Sequence, residues 1–322
     1  MHARLAFALA SLLLFALLPP PAQAQRANWV GEQYADQYAQ PITDALGANL
    51  NAGLFRPMEV GSRGPIPTMN VSVGVTAMGG FTGGSETAFP LDQDRVQTDD
   101  GRTLTITYPD GTLPTAFGEE TSPGTMVISD GDPATPDETL KLPPGLWNTS
   151  IAPLALVHLG AGTVFGTDAQ VRFVPKTDIR DYGSVSLFGL SVRHSLSQYV
   201  ARAPVDVAVQ GAWHTVSFTG GAEAPALDVD ASGWAVNAQV SKGLRTLPVT
   251  VYGGLQYEQF GLDAGYEFRT ISGTSTVAFA QDAATTVRAV AGISSRLSVL
   301  QLNLDYSLGA NNALSAGVGL TL

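Results

Sequence analysis

The 322-residue chain has no cysteine, only 14% charged residues, 35 glycines and a mean hydropathy of +0.12. Its formal net charge is −11 with no concentrated basic segment, which excludes nucleic acid as a partner. Beyond the first two dozen residues no apolar run approaches the ~20 residues of a transmembrane helix, which excludes a helical membrane protein.

The N-terminus reads as a secretory signal over 1–24. Arg4 is its positive start, Leu5 to Leu18 its apolar stretch, and Ala22-Gln23-Ala24 its cleavage site. The mature chain is therefore expected to be exported. The lack of disulfides is compatible with that if a closed barrel supplies the rigidity. Residues 25–66 form an N-terminal helical segment. Val30, Tyr34, Tyr38, Ile42 and Leu46 recur at i, i+4 as one helical stripe, and Pro41 is expected to kink or split it. Two placements fit: against the body of the protein on the periplasmic side, or as a plug in a barrel lumen.

From residue 67 the signal is period-2 alternation, the pattern of strands. Val71, Val73, Val75 and Ala77 open it, and Leu300, Leu302, Leu304, Tyr306 and Leu308 carry it towards the end of the chain. Ten strands are expected, at about 68–78, 150–165, 169–179, 184–195, 205–218, 234–240, 249–257 and 285–293, with two more after the Ser294–Arg296 turn. The intervening 80–148 is polar and carries twelve acids against three bases, nine of the eleven net negative charges. If the last strand ends on the periplasmic side, both 80–148 and 259–283 fall outside as long loops, and the other connections alternate correctly. The expected fold is all-β: a transmembrane, antiparallel, up-and-down β-barrel of ten strands, or twelve if Leu104–Tyr108 joins the wall.

With the apolar face towards lipid, the opposite face is the lumen. His158, Arg172, Arg193, Asp206, Gln210, His214, Glu258, Arg288 and Asp305 are its charged and polar lining, together with Asn237, Gln239, Tyr252, Gln256, Gln301 and Asn303. In so narrow a barrel, a hydrogen-bonded core that props the wall and a small-solute pore are the competing readings. His194, with Ser195 and Ser197 beside it, resembles a lipid-acyl hydrolase site only weakly. An interfacial histidine is the plainer reading, and no catalytic residue is assigned. Asp130, Asp132, Asp137 and Glu138 could offer oxygen ligands to Ca²⁺, but without EF-hand spacing a solvated loop is the alternative. No cofactor is implied. Trp29, Trp147, Trp213, Trp234, Tyr199, Tyr257 and Tyr306 fit interface anchors.

The runs ALGANLNAGLF (45–55), QVRFVP (170–175), SLFGLSVRHSLSQYV (186–200), WAVNAQVSKGL (234–244) and TVYGGLQYE (250–258) give the chain its resemblance to a known group. It is similar to an uncharacterised family of outer-membrane β-barrel proteins of Bacteroidetes-type bacteria, and more distantly to fatty-acid-transport type barrels, which keep an N-terminal segment inside. The resemblance implies a barrel and no assigned activity. It carries over no catalytic residue, and Leu322 stands where relatives commonly end near an aromatic. The expectation is a monomeric surface barrel in the outer membrane of a Gram-negative-type bacterium, with lipid, lipopolysaccharide and the barrel-assembly machinery as partners. A narrow channel or transporter for small or hydrophobic solutes, and a lipid-modifying enzyme, are the alternatives.

Overall fold

The computed structural model describes residues 32–321, apart from 57–68, 84–85, 98–100, 102, 143, 146–147, 164, 180–182, 201–203, 221–226, 245 and 271–272. The signal segment, Trp29, Val30 and Trp147 lie outside the described residues. Helix α1 spans Glu32–Asn51, and β1 spans Met69–Phe81. Six short strands follow: β2 Ala88–Pro90, β3 Gln93–Gln97, β4 Thr103–Thr107, β5 Thr112–Pro114, β6 Thr125–Ser129 and β7 Glu138–Lys141. Then come β8 Ile151–Thr163, β9 Thr167–Ile179, β10 Gly183–Ser195, β11 Asp206–Gly220, β12 Asp228–Gly243 and β13 Val249–Thr270. The chain finishes with β14 Gly273–Asp282, β15 Val287–Leu297, β16 Leu300–Leu308 and β17 Ala313–Thr321.

Ten of these strands close into an antiparallel barrel. β1 pairs with β8 on one side and with β17 on the other, from Ser72↔Thr321 to Gly80↔Ala313, so the first and last wall strands seal the sheet. β8 to β12 follow as neighbours, β12 pairs β13, and β13, β15, β16 and β17 complete the circle. The wall thus has ten strands rather than twelve, because β4 pairs with β3 and β6 in a separate four-stranded sheet. Both long segments lie at one end of the barrel, together with the brief β9–β10 and β16–β17 connections, while the β8–β9, β12–β13 and β15–β16 turns and the longer β10–β11 connection lie at the other, the short-turn end.

Two expected loops are in fact ordered sheet. Residues 80–148 hold the β3–β4–β6–β7 sheet and the β2–β5 pair, folded over a core of Phe89, Leu91, Ile106, Leu113, Met126 and Leu142. Its apolar residues are too sparse and its strands too short for the period-2 signal to stand out, since only one face of each is covered. Likewise 259–283 is no loop. The upper half of β13 leaves β15 and pairs with β14 from Gly261↔Asp282 to Thr270↔Gly273, raising a hairpin above the wall.

The wall has two zones. In the half nearer the short turns, Val71, Val73, Leu159, Val192, Val236, Leu302 and Leu304 point outward and are exposed, while their polar neighbours point in. Nearer the cap the polarity inverts. There Leu154, Leu156, Val185, Leu187, Phe260 and Leu262 point inward and are buried, with Asp228, Asp230, Ser232 and Asp263 outside. Helix α1 supplies the core for that upper zone. It runs unbroken through Pro41, contrary to the expected split, and is held on both sides of the missing N–H. Before it, Gln281 Nε2 of β14 donates to Asp36 Oδ1 at 2.9 Å; after it, Thr43 Oγ1 donates to Gln281 Oε1 at 2.6 Å and Asn49 Nδ2 to the Ala152 carbonyl at 2.7 Å. Enclosure also demands small residues: a Cβ on Gly47 would sit 2.9 Å from Ala283 Cβ and 3.2 Å from the Phe260 side chain.

Phe260→Ala should destabilise the barrel by about 3–5 kcal/mol through the cavity it leaves beneath α1. Urea unfolding in detergent micelles, followed by gel mobility, measures this.

Candidate functional site

The lumen is where the chemically distinctive residues converge, and its occupant is the chain itself. The C-terminal end of α1 and the segment 52–56 run down inside the wall towards the short turns, held at successive levels.

At the first level Arg288 grips Glu258 in a two-point pair, Nε to Oε2 at 3.0 Å and Nη2 to Oε1 at 2.8 Å, with 0% and 1% of the side chains exposed. Arg288 Nη1 also donates to Ser307 Oγ at 2.8 Å. Gln256 joins this pair to the helix, donating to Glu258 Oε2 at 2.5 Å and to the Asn51 carbonyl at 2.9 Å. An amide ladder extends the network around the wall. Asn237 donates to Gln256 Oε1 at 3.1 Å, and Gln239 donates to both Gln210 Oε1 and Asn237 Oδ1 at 3.2 Å. The fixed fork of a guanidinium matches a carboxylate at two points, which is why this buried pair can be held.

At the second level Arg172 faces the helix terminus. Its guanidinium donates to the carbonyls of Leu50 (3.4 Å), Ala52 (3.1 Å) and Gly53. A helix ends with carbonyls lacking partners and with partial negative charge, so a cation placed there satisfies both. Gly53 makes the turn out of the helix at φ +60°, a conformation that favours glycine.

The third level is a triad of Arg56, Asp168 and Arg193. Arg193 Nε donates to Asp168 Oδ2 at 2.9 Å, Arg56 Nη2 to Asp168 Oδ1 at 3.0 Å, and Arg193 Nη1 to the Arg56 carbonyl. Nearby, Tyr252 Oη donates to Asp305 Oδ2 at 3.1 Å. Leu54 and Phe55 pack against Tyr252, Ala235 and Val290. His158 lies 3.4 Å from Thr76 Oγ1, and His214 stacks obliquely on Phe260 with ring centroids 6.1 Å apart.

Helix α1 is anchored at its other end in the cap. Asp94 Oδ2 accepts from the N–H groups of Gln33 (3.0 Å) and Tyr34 (3.4 Å), a carboxylate on the positive end of the helix. Tyr34 stacks with Tyr38 and Tyr108 and meets Phe89 edge-on. Tyr38 Oη donates to the Pro144 carbonyl at 2.9 Å. Burial pushes the hydroxyls of Tyr34 and Tyr38 well above the ordinary tyrosine range, so both stay neutral donors. Plug and cap therefore share one core.

Of the sequence-selected lumen residues, the structure brings Arg172, Arg193, Gln210, His214, Glu258, Arg288, Asp305 and His158 to the inner face. Asp206 shares the phase of the inward-facing Ala208 and Gln210, but it opens β11 at the rim and is exposed rather than enclosed. Sequence reading passed over Asp168 and Arg56. Asp168 falls between the expected strands 150–165 and 169–179, yet β9 starts at Thr167, which puts Asp168, Gln170 and Arg172 on one inward face at i, i+2, i+4. Arg56 carries no such signal, because its place depends on the fold-back of the plug.

His194 does not meet the serines beside it in the sequence. Its Nδ1 lies 2.7 Å from Thr167 Oγ1 and its Nε2 lies 2.9 Å from Tyr199 Oη, whereas Ser195 points inward and Ser197 Oγ pairs with the Val207 backbone. Nor do Asp130, Asp132, Asp137 and Glu138 converge on a cation. Asp130 and Asp132 accept bonds from nearby backbone N–H groups, and among the described residues no cluster of three or more His, Cys, Asp or Glu side chains suits a metal.

A protein family of unknown function, DUF6588, matches residues 1–322. The chain belongs to that family. No curated protein matches it. Among solved structures it is similar to Ail, the attachment invasion locus protein of Yersinia pestis, at TM-score 0.28 and 9% identity over 79% of this chain and 98% of that one. It is also similar to the outer membrane protease OmpT of Escherichia coli, at TM-score 0.30 and 8% identity over 84% and 99%. The translocator domain of the autotransporter NalP from Neisseria meningitidis gives TM-score 0.26 and 10% identity over 81% and 89%. Likeness at this level carries no argument, and the barrel rests on its own strand pairing.

Removing one partner of the buried pair, by Glu258→Gln or Arg288→Met, should cost about 3–5 kcal/mol, because the other charge stays buried unpaired. The double variant should cost less than the sum of the singles, read by the same unfolding measurement.

Proposed function

We propose that this DUF6588 member is an outer-membrane surface barrel whose resting lumen is closed by its own N-terminal helix and which presents the folded acidic cap to the exterior. One observation carries the reading: α1 and residues 52–56 fill the lumen and are held there by Arg288–Glu258 through Gln256, by Arg172 and by the Arg56–Asp168–Arg193 triad. The outward belt of exposed Val, Leu and Ile, with Trp213, Trp234, Tyr257 and Tyr306 among it, supports a lipid surround. Outer-leaflet lipopolysaccharide and bilayer phospholipid are the partners such a belt requires, and the assembly machinery is the expected route in. Orientation follows from loop length, with the short turns in the periplasm.

A second reading, a gated conduit for small solutes, is favoured by the polar half of the lumen. There a cavity of about 30 Å³, bordered by Arg56, His158, Gln170, Gln301, Asn303 and Asp305, lies beside the plug. That is room for about two waters, too little for a solute while the plug is seated.

In planar bilayers the full-length protein should show no conductance steps, whereas deletion of 32–56, or Gly47→Leu, which forces α1 off Phe260 and Ala283, should open the lumen. Steps in the full-length protein contradict the closed reading; silence in both variants, with heat-modifiable gel mobility intact, removes the conduit. A cysteine introduced at Asp130 should react with a membrane-impermeant maleimide on intact cells, and protection there reverses the orientation.

A further inference from the structure

The outer face of the barrel carries a depression of about 650 Å³ that the closed-barrel reading does not use. Its floor and walls come from one cross-strand row, Val192↔Gly211↔Val236↔Tyr257↔Val287, and from Leu255 in the row below. All these side chains point outward. Gly211 makes the hollow, because a Cβ built on it would have no atom within 4 Å. Directly above it Trp213 pairs with Trp234, so the surface steps from two indoles down to a bare backbone. The volume falls within the about 300–1,000 Å³ of small-ligand clefts.

One end of this apolar groove is polar. His194 lines it, its two ring nitrogens engaged by Thr167 Oγ1 and Tyr199 Oη, with Gln198 Nε2 3.1 Å from Nε2. Tyr199 sits in the 3-10 turn Ser197–Tyr199 at the short-turn end of the barrel and is 72% exposed. A groove that is apolar along its length and ends in hydroxyl, imidazole and amide groups matches an amphiphile with one polar end. We infer that the groove formed by β10, β11, β12, β13 and β15 is a binding site for a single phospholipid of the leaflet on the short-turn side, with an acyl chain over Gly211 and the headgroup beside His194, Gln198 and Tyr199. Lipopolysaccharide is excluded as the intended occupant because its polar part would sit at the opposite, cap-bearing end. The inference rests on the membrane reading given above.

The groove can be filled without disturbing the wall, since a side chain at Gly211 grows into open space and strands favour aromatic residues over glycine. Full-length protein would be reconstituted in vesicles of phosphatidylethanolamine and phosphatidylglycerol, floated on a density gradient, extracted in mild detergent and examined by native mass spectrometry. The wild type should retain one phospholipid. Gly211→Phe should lower that occupancy at least fivefold, Ala316→Phe, on the same belt across the barrel, should leave it unchanged, and Tyr199→Phe with Gln198→Ala should weaken it. Equal occupancy in Gly211→Phe overturns the site, as does retention of lipopolysaccharide or a dimer cross-linked through the groove in place of phospholipid. Failure of the wild type to float with the vesicles would instead defeat the membrane reading itself.

Discussion

The pairing of β1 with β17 is the constraint from which the rest of the molecule follows. An open ten-stranded sheet would leave two rows of backbone N–H and C=O groups without partners, a cost wherever water does not reach them. Closing them through Ser72↔Thr321 to Gly80↔Ala313 removes both edges at once. Closure also fixes the bore. Ten strands enclose a space wide enough for one helix, and only if that helix is lean, which accounts for Ala45, Gly47 and Ala48 where it meets the wall.

The wall has two characters along its length. Next to the short turns its outer face is apolar and its inner face holds a polar network. Next to the cap its outer face is polar and its inner face joins an apolar core made with α1. The inversion falls at Leu187/Phe188 on β10 and near Trp234 on β12, where the buried and exposed phases exchange apolar for polar. A single strand thus carries its apolar residues outward in one half and inward in the other. The Trp213–Trp234 pair stands close to that boundary, where an indole ring offers both an apolar body and a polar N–H.

Charges inside such a bore must be compensated, and the plug is part of the compensation. Arg172 has helix carbonyls as its partners, and Arg193 uses both Asp168 and the Arg56 carbonyl. Withdrawing the plug would strip Arg172 of those carbonyls and leave Arg193 with Asp168 alone, so the plug and the basic lining stabilise each other. The cap is tied in through the same helix, with Tyr34 in its core and Asp94 on the helix N-terminus, and independently through Asn311 Nδ2 to Glu86 Oε1 at 2.8 Å.

Sequence alone determined the strands of the wall and most of the polar lining, and left the strand number at ten or twelve until the pairing of β4 with β3 and β6 decided it. Alternation is a local property: once Gln301, Asn303 and Asp305 sit between Leu300, Leu302, Leu304 and Tyr306, the pleat decides which side each takes. It also signalled a helix, although the stripe of Tyr34, Tyr38, Ile42 and Leu46 understated a burial that extends to Thr43, Asp44 and Asn49. Only the tertiary structure decided that the helix fills the lumen, that Arg56 and Asp168 meet across 112 residues, and that the acidic stretch folds as a cap. Those outcomes depend on contacts between distant segments, whose side chains show no period because each partner is supplied by a different strand. The outer groove is of the same kind: Gly211 reads as one more glycine until β10, β12 and β13 are laid beside it.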